Sequence, residues 1–341
     1  MQHRSGANRL PVAASYDVVG FGLRAEAGSG PLLEPVHRLL GRFQSDALPP
    51  SAWELRIERG DLNRPAEALP GLQRIWSGTV MPDLQGVNYV GPGLRRLELC
   101  GHGRLDLDLT AGRASILLHP EVPARSAGYF LVPLLCEGLA AAGHCVVHAA
   151  CLAAPVRRDT RSVLIVAKSG TGKSTTALAL TNGGWKLMGD DIALVSRFGG
   201  NLRAWGFPRV CHVRRPTLRL LPWLTELALV PLSTEDAFDL PLEELGDRAW
   251  PAAPPALEPA LLLCLDPPNG ETHRLTPLDR AEALMHLAEE NVQPIEGCAD
   301  AAAQRAFGAF AELVQRTPAF RLSVGPRVER LADFLTEELS L

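Results

Sequence analysis

Three groups of residues in this sequence have the types and spacing to do chemistry. The first is Ala167-Lys168-Ser169-Gly170-Thr171-Gly172-Lys173-Ser174, a small residue followed by four others and then Gly-Lys-Ser. Gly170 and Gly172 let the backbone curl so that its N–H groups converge on phosphate oxygens. A helix opening at Lys173 adds the positive end of its dipole. Lys173 can reach the β- and γ-phosphates, and the Ser174 hydroxyl can ligate Mg²⁺. The expected contacts to a nucleoside triphosphate are therefore Ser169, Gly170, Thr171, Gly172, Lys173, Ser174 and Thr175.

The second group is Asp190-Asp191, and the third is His148. Two adjacent carboxylates beside a phosphate loop can divide two tasks, one holding Mg²⁺ and the other accepting the proton of an attacking hydroxyl. Imidazole titrates near neutrality, so His148 can face a γ-phosphate or the acidic pair. Arg209, Arg214 and Arg215 follow at a distance that can bring one of them over a triphosphate, where arginine stabilises charge in transfer.

These groups need elements that bring them together. Ser162–Ala167 is an apolar strand run leading straight into the loop. Lys173–Thr181 is the next helix, ended by Asn182-Gly183-Gly184. The helix spans roughly 16 Å at about 1.5 Å per residue. The following strand, Trp185–Gly189, spans roughly the same length at about 3.3 Å per residue. The chain goes out and back, so Asp190 and Asp191 return to the loop's edge, where open α/β sheets bind ligands. A right-handed crossover would set Trp185–Gly189 directly beside Ser162–Ala167. Strand Cys145–Ala153 and the loop Pro155–Arg161 make a hairpin with Ser162–Ala167, centred near residues 157 and 158. That pairs residue 148 with about 167 and puts His148 at the start of the loop. His144 is expected to be structural. A further strand is expected at Ile192–Arg197.

Upstream, candidate strands are Tyr16–Ala25, Trp53–Glu58, Leu72–Trp76, Arg95–Leu99, Arg104–Leu109 and Arg113–Leu118, with helices at Pro31–Phe43 and Ala127–Ala142. Alternation is clearest in Arg104-Leu105-Asp106-Leu107-Asp108-Leu109. Downstream, Pro251–Pro259 reads as a linker, Leu261–Leu265 as an apolar strand, and Asp279–Glu289, Ala301–Gln315 and Pro326–Glu338 as helices. The division expected is a β-rich (α+β) N-terminal domain over 1–143 and an α/β catalytic domain over 144–341. The N-terminal part carries no catalytic constellation, which leaves acceptor recognition or oligomerisation as its role.

The net charge of −4 gives no basic field for nucleic acid, and Arg157-Arg158 and Arg214-Arg215 are too short for a patch. Seven cysteines with no C-x-x-C spacing read as reduced thiols rather than a disulfide framework or zinc site. The start, Met1-Gln2-His3-Arg4-Ser5-Gly6, has no apolar signal region, and no apolar run is long enough to span a membrane. The expectation is a cytoplasmic protein without membrane or nucleic-acid partners, with homo-oligomerisation open.

Val147-His148-Ala149-Ala150, the loop Ala167–Ser174 continued by Thr175-Thr176-Ala177-Leu178, and Gly184-Trp185-Lys186-Leu187-Met188-Gly189-Asp190-Asp191 together resemble the P-loop catalytic domain of the HPr kinase/phosphorylase family. There a histidine precedes the phosphate loop, and an Asp-Asp pair follows after a short helix and a return strand. The resemblance covers about residues 144–215. It implies a kinase using ATP and Mg²⁺ on a serine hydroxyl, with Asp190 as base, Asp191 on the Mg²⁺ side and His148 beside the γ-phosphate. The chain has no Glu-Ile-Arg-Gly-Leu-Gly signature. Its opening Tyr16-Asp17-Val18-Val19-Gly20-Phe21-Gly22-Leu23 is instead similar to that of HPr kinase-related proteins. Some of these phosphorylate a precursor peptide, lasso-peptide tailoring kinases among them, which makes a serine of a peptide or small protein the expected acceptor.

The alternative is a P-loop ATPase or nucleotide switch in which Asp266, ending Leu261-Leu262-Leu263-Cys264-Leu265, is the Mg²⁺ carboxylate.

Overall fold

The structure is a computed structural model. It describes residues 12–62, 71–81, 84–156, 159–198, 200–232, 236–250, 256–268, 270–291 and 301–340. The chain is mixed α/β with several sheets and divides into two compact units, Met1–Gly143 and His144–Leu341.

The first unit runs β1 (Ala13–Val18), β2 (Phe21–Ala27), α1 (Gly30–Leu40), β3 (Trp53–Arg59), β4 (Gln73–Met81), β5 (Leu84–Gly91), β6 (Leu94–Leu99), β7 (Gly103–Asp108), β8 (Arg113–Leu118) and α2 (Gly128–Ala141). Its strands form one sheet in the order β1-β2-β3-β8-β7-β6-β5-β4. Period-two alternation buries Leu23 and Ala25, Leu55 and Ile57, Leu105 and Leu107, and Ala114 and Ile116. The buried stripes of α1 (Leu32, Leu33, Val36, Leu40) and α2 (Phe130, Leu131, Leu134, Leu135) complete this core. Tyr16–Ala25, expected as one strand, is a hairpin. Val19 (φ 55°) and Gly20 (φ 89°) are both left-handed, as a two-residue hairpin turn requires. The Gly20 N–H donates to Asp17 Oδ1 at 2.7 Å. Strand β5 was not anticipated, because Gly86 and Asn88 interrupt its apolar alternation.

The second unit contains β9 (Cys145–Val147), β10 (Ala149–Val156), β11 (Asp159–Val166), α3 (Lys173–Asn182), β12 (Lys186–Gly189), β13 (Ala193–Phe198), β14 (Asn201–Gly206), β15 (Cys211–Arg214), α4 (Arg215–Leu220), β16 (Val230–Pro231), β17 (Ala237–Leu240), β18 (Pro259–Leu265), β19 (Arg274–Leu278), α5 (Arg280–Asn291), α6 (Ala301–Arg316), β20 (Ala319–Ser323) and α7 (Leu331–Leu339). Six strands form the sheet β12-β10-β11-β18-β20-β19, and two three-stranded sheets, β14-β13-β9 and β15-β17-β16, accompany it. The central strands β11 and β18 are parallel, and the buried C-terminal part of β11 (162–166) and nearly all of β18 carry unbroken apolar runs. Ala177, Leu178 and Leu180 of α3 share a core cluster with Leu152, Val163, Ile165, Leu187, Leu263 and Leu331. Each such leucine stabilises the fold by about 1.5–3 kcal/mol relative to exposure.

Two expectations are corrected here. Strand β12 does not lie beside β11; it pairs antiparallel with β10, which lies between them. It therefore runs in the same direction as β11 but one strand removed. The hairpin β10–β11 occupies the near side of β11, and β18 takes the other side. The expected strand Cys145–Ala153 is broken at His148: β9 pairs with β13 in a separate sheet, and β10 stays in the main one. The linker Pro251–Pro259 lies partly outside the described residues, as do Arg157 and Arg158.

Strand β12 is held at its end by close packing. A Cβ on Gly189 would meet Phe207 O at 2.5 Å, and one on Gly206 would collide with the Gly189 backbone nitrogen. Gly206→Ala is therefore expected to destabilise the chain by roughly 1–3 kcal/mol through overpacking. It should also displace Asp190, the next residue after Gly189. Urea midpoints and activity measured together check this; a neutral effect on both would show that the contact yields.

Candidate functional site

The site is built on three turns at the ends of β11, β12 and β14. The loop after β11 leads into α3 with Gly170 at φ 82° and Gly172 at φ 108°. No atom lies within 4 Å of a Cβ built at either glycine. The requirement for glycine is conformational rather than steric. No side chain caps α3, and its first turn holds no acidic residue, so its leading N–H groups face outward from the helix end. Ser169 and Gly170 are exposed, Thr171, Gly172, Ser174 and Thr175 half-buried, and Lys173 buried.

The turn after β12 carries the acidic pair back to this loop. Lys173 Nζ lies 2.5 Å from Asp191 Oδ1. The Ser174 hydroxyl donates to Asp190 Oδ2 at 2.7 Å. Residue Asp191 has φ 74°, a left-handed conformation that Asp tolerates better than most side chains. The turn therefore points two adjacent side chains at two adjacent residues of α3.

Asp190 is fully buried, and its Oδ1 has no hydrogen-bond partner among the described residues. Burial pushes its carboxyl above the usual range, against the pull of Lys173 and the Ser174 bond. Burial also pushes Asp191 upward, but the His148 bond and Lys173 outweigh it and hold its carboxyl well below the usual range. Two neighbouring carboxylates are thus driven in opposite directions by their surroundings.

The hairpin ladder ends at Ala149↔Val166, so His148 lies one residue beyond it, at the strand break beside the loop. His148 Nε2 is 2.7 Å from Asp191 Oδ1, and its Nδ1 is 3.8 Å from Glu290 Oε2. The His148 backbone N–H donates to Asn291 Oδ1. Lys168 Nζ lies 3.2 Å from Glu289 Oε2. The last turn of α5 therefore meets both the loop and the histidine. Glu289, Glu290 and Asn291 lie far along the chain from the loop and belong to no motif, so sequence spacing gave no sign of them. The one available signal was the position of the three polar residues at a helix end. His144 is buried with Nδ1 2.5 Å from Ser196 Oγ.

Of the three arginines, Arg209 reaches the cluster, with Nη1 3.7 Å from Asp191 Oδ2. Arg215 instead pairs with Asp236 at 3.2 Å, and Arg214 is exposed on β15. Thr175 Oγ1 lies 2.8 Å from Thr217 Oγ1 on α4. Asp266 follows β18, two residues past Cys264, which pairs with Val166. Its carboxylate lies 3.6 Å from Arg321, whereas Lys173 and Ser174 turn to Asp191 and Asp190. Among the described residues six cysteines are free thiols. Among the described residues no helix is long and apolar enough to cross a membrane.

No protein-family model matches the chain, and no curated protein matches it. Among solved structures it is similar to the Hpr(Ser) kinase/phosphatase from Coxiella burnetii, at 14% identity and a TM-score of 0.27, over 57% of this chain and 99% of that one. An identity that low and a superposition that loose transfer no residue's role.

Proposed function

We propose that this chain is a P-loop kinase that transfers the γ-phosphoryl group of ATP to a hydroxyl, with a serine of a peptide or small protein as acceptor. The observation that carries the reading is the double pairing at the head of α3, Lys173 with Asp191 and Ser174 with Asp190. A cation and a hydroxyl at an uncapped helix N-terminus, each matched to a carboxylate, are what binding a magnesium triphosphate requires.

The residues suit Mg²⁺. Asp190 Oδ1 is buried without a partner, and Ser174 Oγ sits on the other oxygen of the same carboxylate. Hard oxygen donors from one or two side chains, completed by substrate phosphates and water, are the usual protein share of such a site. Bound Mg²⁺ neutralises charge on the transferring phosphates. The Ser174 bond supports reading Asp190 as the metal-side carboxylate and Asp191 as the one that serves the acceptor. This exchanges the two roles implied by the family resemblance.

In this reading the glycine-loop amides and Lys173 bind the β- and γ-phosphates, and Lys173 leaves Asp191 to do so. Asp191, freed and still aligned by His148, orients the acceptor hydroxyl and takes up its proton. Arg209 stabilises charge from the opposite side. Positioning and charge neutralisation carry the rate.

The test is transfer of label from γ-labelled ATP with Mg²⁺ to a serine-containing peptide pool. Label on peptide serine, lost in Asp191→Asn, supports the kinase. Release of free phosphate alone, undiminished in that variant, would sink it.

An ATPase with Asp266 as the metal carboxylate has one observation in its favour, the position of Asp266 beyond the strand adjacent to β11. The Arg321 contact argues against it. Asp266→Asn is expected to keep turnover within a few-fold of wild type, as surface-type substitutions do; its abolition would select the ATPase.

A further inference from the structure

Arg209 sits between β14 and β15, and two residues outside the motif-bearing segments bracket it. Arg209 Nη2 lies 3.2 Å from His212 Nε2. The other ring nitrogen of His212, Nδ1, lies 2.7 Å from Asp239 Oδ1. His212 and Asp239 are directly paired residues of β15 and β17, so the ladder itself fixes their separation. A guanidinium offers only donors, so His212 Nε2 must accept. That leaves a proton on Nδ1, the ring nitrogen that lies beside the Asp239 carboxylate. The Arg209 side chain is 17% exposed although its neighbour His212 is 48% exposed. The arginine is therefore drawn inward along Asp191 while the histidine braces it from the solvent side.

We propose that His212 and Asp239 are positioning residues that hold the Arg209 guanidinium toward the γ-phosphate of ATP bound on the glycine loop. This rests on the kinase reading above. An unbraced arginine would lose rotamer freedom each time it met the phosphates, and this one has lost it on folding. The brace also fixes which donors remain for the ligand: Nη2 is engaged by His212, and Nη1 lies beside Asp191. When Asp191 turns to an acceptor hydroxyl, Nη1 is left pointing into the space that the transferring group occupies.

The test measures binding of Mg²⁺ with ATP and with ADP, and transfer rate, for the full chain. The variants are Arg209→Ala, His212→Ala, the double variant, and His212→Gln, whose amide oxygen can replace Nε2 as acceptor. Arg209→Ala is expected to abolish any preference for ATP over ADP and to lower kcat about 10²-fold. His212→Ala is expected to lower kcat about 10-fold and narrow the same preference, because a small misplacement of a charge-stabilising group is costly. In the Arg209→Ala background it should add nothing, since it acts only through the arginine. His212→Gln should restore most of the loss. Asp239→Asn, which removes the charge beside the ring but keeps the side chain's volume, should fall between wild type and His212→Ala. If His212→Ala leaves the ATP preference intact, or costs the same factor with and without Arg209, the inference is overturned and the kinase reading stands. If wild type binds neither nucleotide, the kinase reading itself fails.

Discussion

Asp191→Asn is expected to lower kcat for phosphoryl transfer by about 10²- to 10⁴-fold, the usual contribution of a positioned proton acceptor, with ATP affinity kept or improved. Asparagine tolerates the left-handed backbone at this position and occupies the same volume. It removes the anion that holds Lys173 at 2.5 Å in the absence of nucleotide. Lys173 then no longer exchanges one ionic partner for another when the triphosphate arrives. The pattern to look for is a fall in kcat without a rise in the dissociation constant for ATP. The Mg²⁺ concentration for half-maximal rate should stay unchanged. Asp190→Asn should raise that Mg²⁺ requirement, since Asp190 shares the Ser174 hydroxyl. A rise in Mg²⁺ requirement in Asp191→Asn, with none in Asp190→Asn, would reverse the assignment of the two carboxylates.

The second large effect is on stability. Asp190 is a fully buried carboxylate with one oxygen lacking a partner. Leaving such a group unsatisfied costs about 1–3 kcal/mol, more when it is charged. Asp190→Asn is therefore expected to stabilise the nucleotide-free protein by roughly that amount while impairing transfer, a trade of function against stability. The pH dependence follows from the direction of the shift. Burial holds the folded-state pKa above the ordinary carboxylate value of 3.8. Between those two values the folded chain keeps a proton that the unfolded chain has released, so stability falls as pH rises through this window. Above it the full cost is present, and there the asparagine variant should gain most. Asp191 has the opposite sign. Its folded pKa is depressed, so its contribution is present above 3.8 and is lost as pH falls toward the lowered value. Thermal melts of wild type and both asparagine variants across acid and neutral pH separate the two slopes. An Asp190→Asn protein less stable than wild type at neutral pH would refute the burial argument.

The parts of the site that follow one another along the chain were legible in the sequence, because each is fixed locally. Gly170 and Gly172 demand a curled loop. The length of α3 and of the return strand brings Asp190 and Asp191 back to the loop's edge, and a tight hairpin sets His148 one residue beyond the Ala149↔Val166 pair. What spacing could not give was lateral order in the sheet. The strand β12 reaches the right edge running in the direction expected, but β10 intervenes, since antiparallel and parallel neighbours of β11 read alike as apolar runs. Glu290, Asn291, His212 and Asp239 were also out of reach. Their roles depend on contacts between segments far apart in the chain, made by residue types that populate any polar surface. In the first unit the turn at Val19-Gly20 was missed because a valine seldom adopts positive φ, so the hairpin was read as one long strand.

The left-handed backbone at Asp191 narrows the routes by which this site can drift. Most L-residues placed there incur about 1–2 kcal/mol of backbone strain before any effect on charge, whereas Gly incurs none and Asn and Asp less. Among descendants of such a chain, inactive copies that remain well folded should therefore carry asparagine or glycine at this position. A valine or leucine there would carry that strain, as Val19 does in its own turn.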